Sequence, residues 1–495
     1  MHFIDIAIVF IYLVLIFCVG FYTRKYVSDF DGFMIAGRKI NLSLAVVTML
    51  GTELGLITVM YNAQAGVNSL FSSFHIGLAA FIATLAIGLT GFVVVELRKL
   101  KVKSIPEYYQ IRFGERTRII GAILLSLGGI LNMGLFLKVG AIFIQTIFQL
   151  DGDENILLLI MGILLILVLV YTILGGMISV IITDYIQYVV LSIGFLVSIF
   201  YSLKVLGWSE IFNGVERIRE YNTLLETGRP GSNYSSIYNP LLSSGPAYIS
   251  WQLILGFVKA VVWPTAITRV LSIKNIGMVK QHYLWSSFSF LIRFIVPSFL
   301  GICAFVYFNG QILDNSLAML PQYLLEILPI GLLGIVVAGM LAAFMSTHDS
   351  YLLCWSTIIT NDIVEPLLGK ELNSRKKIFI SRIIILILGL YIFVWGMFYN
   401  GSDAIWDYLG ITGAIYFTGA ISVLVFGLYW KKASSTGAIM SLLGGFSAII
   451  GLEPIRVSLG INLSNPAIIG LLTLFFSISL MILGSIFFPD KKESV

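Results

Sequence analysis

The sequence predicts an all-α polytopic membrane protein of about thirteen transmembrane helices. Three observations carry that prediction. Apolar residues make up 58% of the 495 residues and charged residues only 12%, against about 25% charge in soluble domains. Hydrophobic runs long enough to cross about 30 Å of hydrocarbon recur along the whole length and leave no water-soluble domain of useful size. Finally, the basic residues gather on alternate loops.

The runs lie at roughly 4–23, 41–65, 72–97, 119–148, 155–175, 178–204, 247–271, 282–308, 328–361, 378–399, 404–429, 435–453 and 467–489. Arg24, Lys25, Arg38 and Lys39 follow the first run, and Arg98, Lys99, Lys101, Lys103, Arg112, Arg116 and Arg118 follow the third. Loops of the same parity hold Arg269, Lys274 and Lys280, then Lys370, Arg375, Lys376, Lys377 and Arg382, then Lys431 and Lys432, and last Lys491 and Lys492. The opposite loops hold only Lys204, Arg217, Arg219, Arg229 and Arg456. By the positive-inside rule the amino terminus is outside and the carboxyl terminus cytoplasmic, in a multi-pass cell-membrane protein. An odd number of spans fits that orientation.

The first run has neither a basic segment before it nor a small-residue cleavage site after it, so it reads as a retained helix rather than a signal peptide. The net charge of +5 expresses topology and implies no nucleic-acid partner. Cys18, Cys303 and Cys354 stand singly in apolar runs, which indicates neither a disulfide framework nor a metal cluster. Asn233-Tyr234-Ser235 fits a glycosylation sequon on an outside loop, a tripeptide that also arises by chance. The stretch 205–246 is the longest outside the membrane, with a short surface helix expected around Trp208 and Ile211. The segment Lys103–Gly114 reads as an amphipathic helix at the interface.

The most informative stretch is Ala338–Ser350. Ala343, Ser346, Thr347 and Ser350 fall at i, i+3, i+4 and i+7, so they share one helical face. Carbonyl and hydroxyl oxygens at bilayer depth suit a dehydrated hard cation such as Na+, because it takes oxygen ligands and lipid offers the hydroxyls no partner. Asp349 adds a carboxylate beside the stripe. Two other runs carry breaks in corresponding places. The second holds Gly51, Glu53 and Gly55 near its middle; the seventh holds Lys259, Trp263 and Pro264. Five runs separate their starts, so spans 2–6 (39–204) and 7–11 (247–432) form a candidate inverted pair of five-helix repeats. An extra helix (1–30) precedes them, and two helices (433–495) follow. Paired Gly- or Pro-interrupted helices point to a midplane transport site.

These residues carry a family likeness. The chain resembles the sodium:solute symporter family from Asp31–Arg38 to Gly427–Lys432. The specific pieces are Ala342–Ser350 and Tyr171–Gln187, supported by Ser104–Tyr108 and Arg112–Gly114. The resemblance implies a LeuT-type fold and coupling of inward sodium flow to solute uptake. It also implies a main sodium site made by the carbonyls of Gly51, Leu54 and Ala343 with the hydroxyls of Ser346 and Thr347. Unwinding at Gly51–Gly55 would free those carbonyls. Asp184, with Ser346, Asp349 and Ser350, matches a second sodium site of some members, and serves equally as an ion-exit relay or a structural pair.

Intramembrane ionisable residues are functional candidates by default. Glu53 suits a substrate amine, a tuning role on sodium, or a pair with Lys259. Lys259 and Trp263 share a face at i and i+4. Trp263 and Thr58 fall where sugar-carrying relatives contact substrate, but with different residues. Carboxylates of amino acids or organic acids suit a free Lys259; a neutral solute fits better if Glu53 neutralises it. His75 is a candidate for the same cavity or a satisfied structural histidine. Lys138 is placed to snorkel, Arg293 is too central for that, and His348 points away from the ion face. The leading function is sodium-coupled import of a small polar solute (an amino acid, sugar or organic acid), with the lipid bilayer as the other partner and no obligatory protein partner evident. A solute sensor acting through a separate partner and a proton-coupled carrier are the alternatives. The chain has no nucleophile–base pair or metal-hydrolase motif, so an enzyme is not expected.

Overall fold

The computed structural model describes residues 1–23, 29–150, 152–174, 176–227, 235–313, 315–399, 405–461 and 467–490. Arg24, Lys25, Arg229, Asn233, Tyr234, Lys491 and Lys492, named above, lie outside them, as does Gly175 within Tyr171–Gln187. Among the described residues the chain is helical throughout, with a single isolated bridge between Ile40 and Ile273.

Among the described residues ten helical segments are long and apolar enough to cross a membrane, and a pair bent by 43° at Trp263 makes an eleventh. Shorter apolar helices at Leu42–Glu53 and Ser435–Gly451 supply the rest of the expected set. The principal helices are α1 (Phe3–Thr23), α2 (Leu42–Glu53), α3 (Leu56–Ser69), α4 (His75–Thr90), α5 (Glu115–Met133), α6 (Phe136–Ile147), α7 (Glu154–Leu174) and α8 (Met177–Leu206). They continue with α9 (Pro246–Val262), α10 (Pro264–Ser272), α11 (Gly277–Tyr307), α12 (Leu332–Ile358), α13 (Ser374–Phe398), α14 (Ile405–Tyr429), α15 (Ser435–Phe446) and α16 (Ala467–Phe487).

Burial separates the helices that build the interior from those that meet lipid. Every residue of α12 from Val336 to Ile358 is buried, polar ones included. α1, α8 and α13 instead expose long apolar side chains such as Phe10, Leu196 and Leu390, as a lipid-facing surface requires. Small residues allow close crossings without help from a hydrophobic force. A Cβ on Gly66 of α3 would lie 2.0 Å from the Ser298 carbonyl of α11, and one on Gly301 of α11 would lie 2.1 Å from the Ala63 carbonyl of α3. The two backbones therefore touch at that crossing.

Outside the bundle two expectations change. The helix at Trp208 runs twenty residues, to Thr227; Trp208 is exposed but Ile211 is fully buried. The helix Ile105–Phe113 is capped by Ser104, which accepts from Glu107 N, and it buries Tyr109 and Phe113 against the bundle. It is docked rather than afloat at the interface: the Tyr109 and Tyr416 hydroxyls are 3.1 Å apart.

Candidate functional site

Both helix breaks follow from local sequence. α2 starts on Asn41, whose side chain accepts from Leu44 N. Leu54 leaves helical space (φ −95°, ψ 62°) and Gly55 is extended (φ −78°, ψ 165°) before α3 restarts at Leu56. The unwinding is shorter than the expected Gly51–Gly55: Gly51 is still helical, and only Leu54 and Gly55 depart. A helix end leaves its last carbonyls without internal donors. Thr347 donates to the Thr52 carbonyl at 3.0 Å, and Thr58 donates to that of Glu53 at 3.1 Å. The Gly51 and Leu54 carbonyls receive no donor among the described residues. α12 presses directly on the break, since a Cβ on Gly55 would lie 2.1 Å from Thr347 Oγ1. At the second break Trp263 turns extended (ψ 120°) and Pro264 opens α10, where a missing N–H costs nothing.

Below the first break lies a fully buried polar network. Ser346 donates to Asp184 Oδ1 at 2.5 Å. Asp184 Oδ2 accepts from Thr48 at 2.6 Å and Thr52 at 3.2 Å, with Arg269 Nη2 at 3.5 Å. Arg269 also donates to Ser350 Oγ at 2.7 Å and to the Thr52 hydroxyl. Arg269 is thus not a loop charge, as the positive-inside pattern had it. It is 1% exposed and carried under α2 by α10. Asp349 stands within electrostatic reach of Asp184 and Arg269, yet neither of its buried oxygens has a well-formed hydrogen bond among the described residues. α2, α8, α10 and α12 each contribute to this network.

Above the break the partnership differs from the expected Glu53–Lys259 pair. Glu53 Oε1 accepts from Thr265 at 2.8 Å, and Oε2 lies 3.3 Å from Arg293 Nη1. Arg293 is held between the rings of Phe290 and Phe294, at 4.5 and 4.6 Å from their centroids. The interior partner of Arg293, which α11 carries, is therefore Glu53 at the end of α2. Lys259 lies beyond 4.0 Å of any carboxylate among the described residues, though inside the field of Glu53. Its ammonium is 6.0 Å from the Trp263 ring, and Trp263 donates to the Tyr351 hydroxyl at 3.1 Å. Two adjoining cavities share Glu53, Leu255, Lys259, Trp263, Arg293 and Trp406. Thr58, Asn132 and Phe136 line only the second.

His75 is a correction. Its Nδ1–H donates to the Ser72 carbonyl at 2.6 Å, and it lines a third, more polar cavity with Gln64, Tyr248 and Asp407. His348 does point away, with Nδ1 at 2.8 Å from the Phe344 carbonyl. Lys138 donates to the Tyr399 carbonyl at 3.1 Å. Sequence reasoning missed Thr48, Thr52, Thr265 and Asn132; only the i, i+4 spacing of Thr48 and Thr52 in α2 held a signal.

Fold and site together define a class: polytopic membrane carriers in which two broken helices meet around buried ionisable groups. Residues 33–445 match the sodium:solute symporter family, and the chain belongs to that family. The human sodium/myo-inositol cotransporter is 27% identical over 89% of this chain. The chain spans 66% of that relative's length. The Vibrio parahaemolyticus sodium/glucose cotransporter is 24% identical, covering 93% of this chain and 87% of its own. The sodium/sialic acid symporter of Proteus mirabilis (strain HI4320) is 25% identical, covering 100% and 97%. A substrate-bound, outward-open structure of a Na+-coupled sialic acid symporter superposes with a TM-score of 0.79 at 21% identity, covering 99% of both chains. MhsT in complex with L-phenylalanine follows at 0.54 and 14%, covering 90% of this chain and 97% of its own. The fold is of the LeuT type.

Proposed function

We propose that the chain is a sodium-coupled secondary active symporter that imports a small polar solute across the cell membrane by alternating access. Its amino terminus is outside and its carboxyl terminus cytoplasmic. One observation carries the reading: the break in α2/α3 leaves the Gly51 and Leu54 carbonyls without donors among the described residues, against a helix that offers Ser346 and Thr347. With the Ala343 carbonyl these make five oxygens, a donor set for a hard monovalent cation.

In this mechanism sodium bridges the break to α12 and holds the two helices in the arrangement that admits solute from outside. Solute then binds above the break among Glu53, Thr58, Lys259 and Trp263, and its contacts complete closure of the outer side. Each ligand raises the affinity for the other, as linkage requires. Asp184, Asp349 and Ser350 form the next station inward, as a second sodium site or the exit path. The chain acts as a carrier without catalysis and without an obligatory protein partner.

The test is uptake into proteoliposomes with an imposed sodium gradient. Accumulation should follow that gradient, and Ser346→Ala and Thr347→Ala should each raise the sodium concentration needed for half-maximal uptake at least tenfold. Accumulation that tracks a proton gradient and ignores sodium refutes the assignment. So does solute binding without any transport, as in a sensor.

A further inference from the structure

Charge balance at the solute cavities narrows the substrate. Glu53 is the sole acid among the described residues that line the two adjoining cavities, and it faces two bases, Lys259 and Arg293. Both of its oxygens are engaged, one by Thr265 and one by Arg293. Arg293 is held in place by its two phenylalanines. Lys259 is left on the cavity side, partly exposed, with no carboxylate within ion-pair distance. Asp407 lines the third cavity.

An isolated ammonium in a low-dielectric site is costly unless a counter-charge arrives. The one-acid, two-base set supplies that deficit in advance. A substrate amine would bring a third cation to a site whose single acid already accepts from Thr265 and Arg293, and a zwitterion, neutral overall, would leave the excess positive charge in place. The remaining walls are largely aromatic or aliphatic, among them Trp263, Trp406, Phe136 and Phe294. They suit an apolar body behind one charged group.

We infer that the solute is a small monocarboxylate without a free amine, its carboxylate docking on Lys259 and its body lying against Trp263 and Trp406. The inference rests on the symporter reading and specifies the substrate class of that same site. It also makes the end of α9 and the break after it the specificity segment: Lys259 reads charge and Trp263, four residues on, reads shape.

The experiment uses the full chain in detergent and in proteoliposomes. Lactate, pyruvate, phenylacetate and glucuronate are each compared with a neutral partner (lactamide, pyruvamide, phenylacetamide and glucose) and with the zwitterions proline and phenylalanine. Thermal stabilisation is read with and without sodium. At least one carboxylate should stabilise the protein in sodium and be accumulated, with its neutral partner at least tenfold weaker. Lys259→Gln should weaken that carboxylate at least tenfold and Lys259→Arg much less. Sodium-induced tryptophan fluorescence changes without solute should survive in both variants, which shows that they fold. Sodium-driven uptake of a neutral or zwitterionic solute, insensitive to Lys259→Gln, overturns the inference while leaving the symporter reading intact. So does a wild-type protein that no carboxylate stabilises. Loss of sodium dependence in the wild type instead strikes the symporter reading itself.

Discussion

Adding one methyl group to the break in α2/α3 should cripple sodium binding. In Gly55→Ala the new Cβ lies 2.1 Å from Thr347 Oγ1, 2.9 Å from Thr347 Cβ and 3.2 Å from its methyl. Normal contact is about 3.5–4.0 Å between carbons, so Thr347 must retreat by more than 1 Å relative to the break. The backbone torsions of Gly55 suit alanine, so strain comes from the contact alone. Overpacking of this kind costs about 1–3 kcal/mol. If the ion site bears all of it, sodium affinity falls roughly 5- to 150-fold, at about 1.4 kcal/mol per decade. Sodium-titrated tryptophan fluorescence reads this directly, and the half-saturating sodium for uptake should shift in parallel. Gly194→Ala serves as control, because its nearest neighbour, Val336 Cα, is 3.5 Å away. An unchanged sodium midpoint in Gly55→Ala would show that α12 does not set the ion geometry through Thr347.

Arg293→Met should destabilise the protein by about 3–5 kcal/mol, because it strands a buried Glu53. Glu53→Gln/Arg293→Met should recover most of that loss in thermal unfolding, and failure to recover would mean the pair is not the cause. Thr48→Val removes a 2.6 Å bond to the Asp184 carboxylate and should cost about 1.5–3 kcal/mol, again by unfolding; a change under half a kcal/mol would count against a charged Asp184. Gly301→Leu should abolish the α3–α11 contact and with it a monodisperse peak in size-exclusion chromatography, whereas wild-type behaviour would contradict the close crossing.

The positions of the spans and of both breaks are legible because they are local. Apolar length is a one-dimensional property, and Gly55 and Pro264 interrupt helices wherever they fall. The hydroxyl face of α12 is legible for a similar reason, since 3.6-residue periodicity places Ser346 and Thr347 together whatever packs against them. The partner of Glu53 is a different matter. Lys259 and Arg293 both lie in apolar helices, and only the crossing of α11 over the break brings the arginine to Oε2. Arg269 shows the same limit: five residues after Pro264, near an expected helix end, it counts as a loop charge in any tally of basic residues. A tally cannot tell a side chain that reaches out to water from one that turns inward to Asp184. His75 shows it too, because the next residue, Ile76, lines the first of the two adjoining cavities while His75 itself, with Ser73, lines their neighbour.

The bridge between Ile40 and Ile273 joins the ends farthest from the breaks of the two half-helices, α2 and α10, that lie on the Arg269 side of them. Ile40 N donates to the Ser272 carbonyl at 3.2 Å, and Lys274 N donates to that of Ile40 at 2.9 Å. Arg98 clasps the Ile273 carbonyl through Nε and Nη2 at 3.0 and 2.7 Å. Together with the Arg269–Thr52 bond nearer the breaks, this riveting turns two separate rods into one blade. The swivels left to that blade are Leu54–Gly55 and Trp263, which are also where the proposed sodium and solute sites lie. Occupancy and movement of the blade therefore share the same few torsion angles, so whatever fills the breaks sets the stiffness of the hinge.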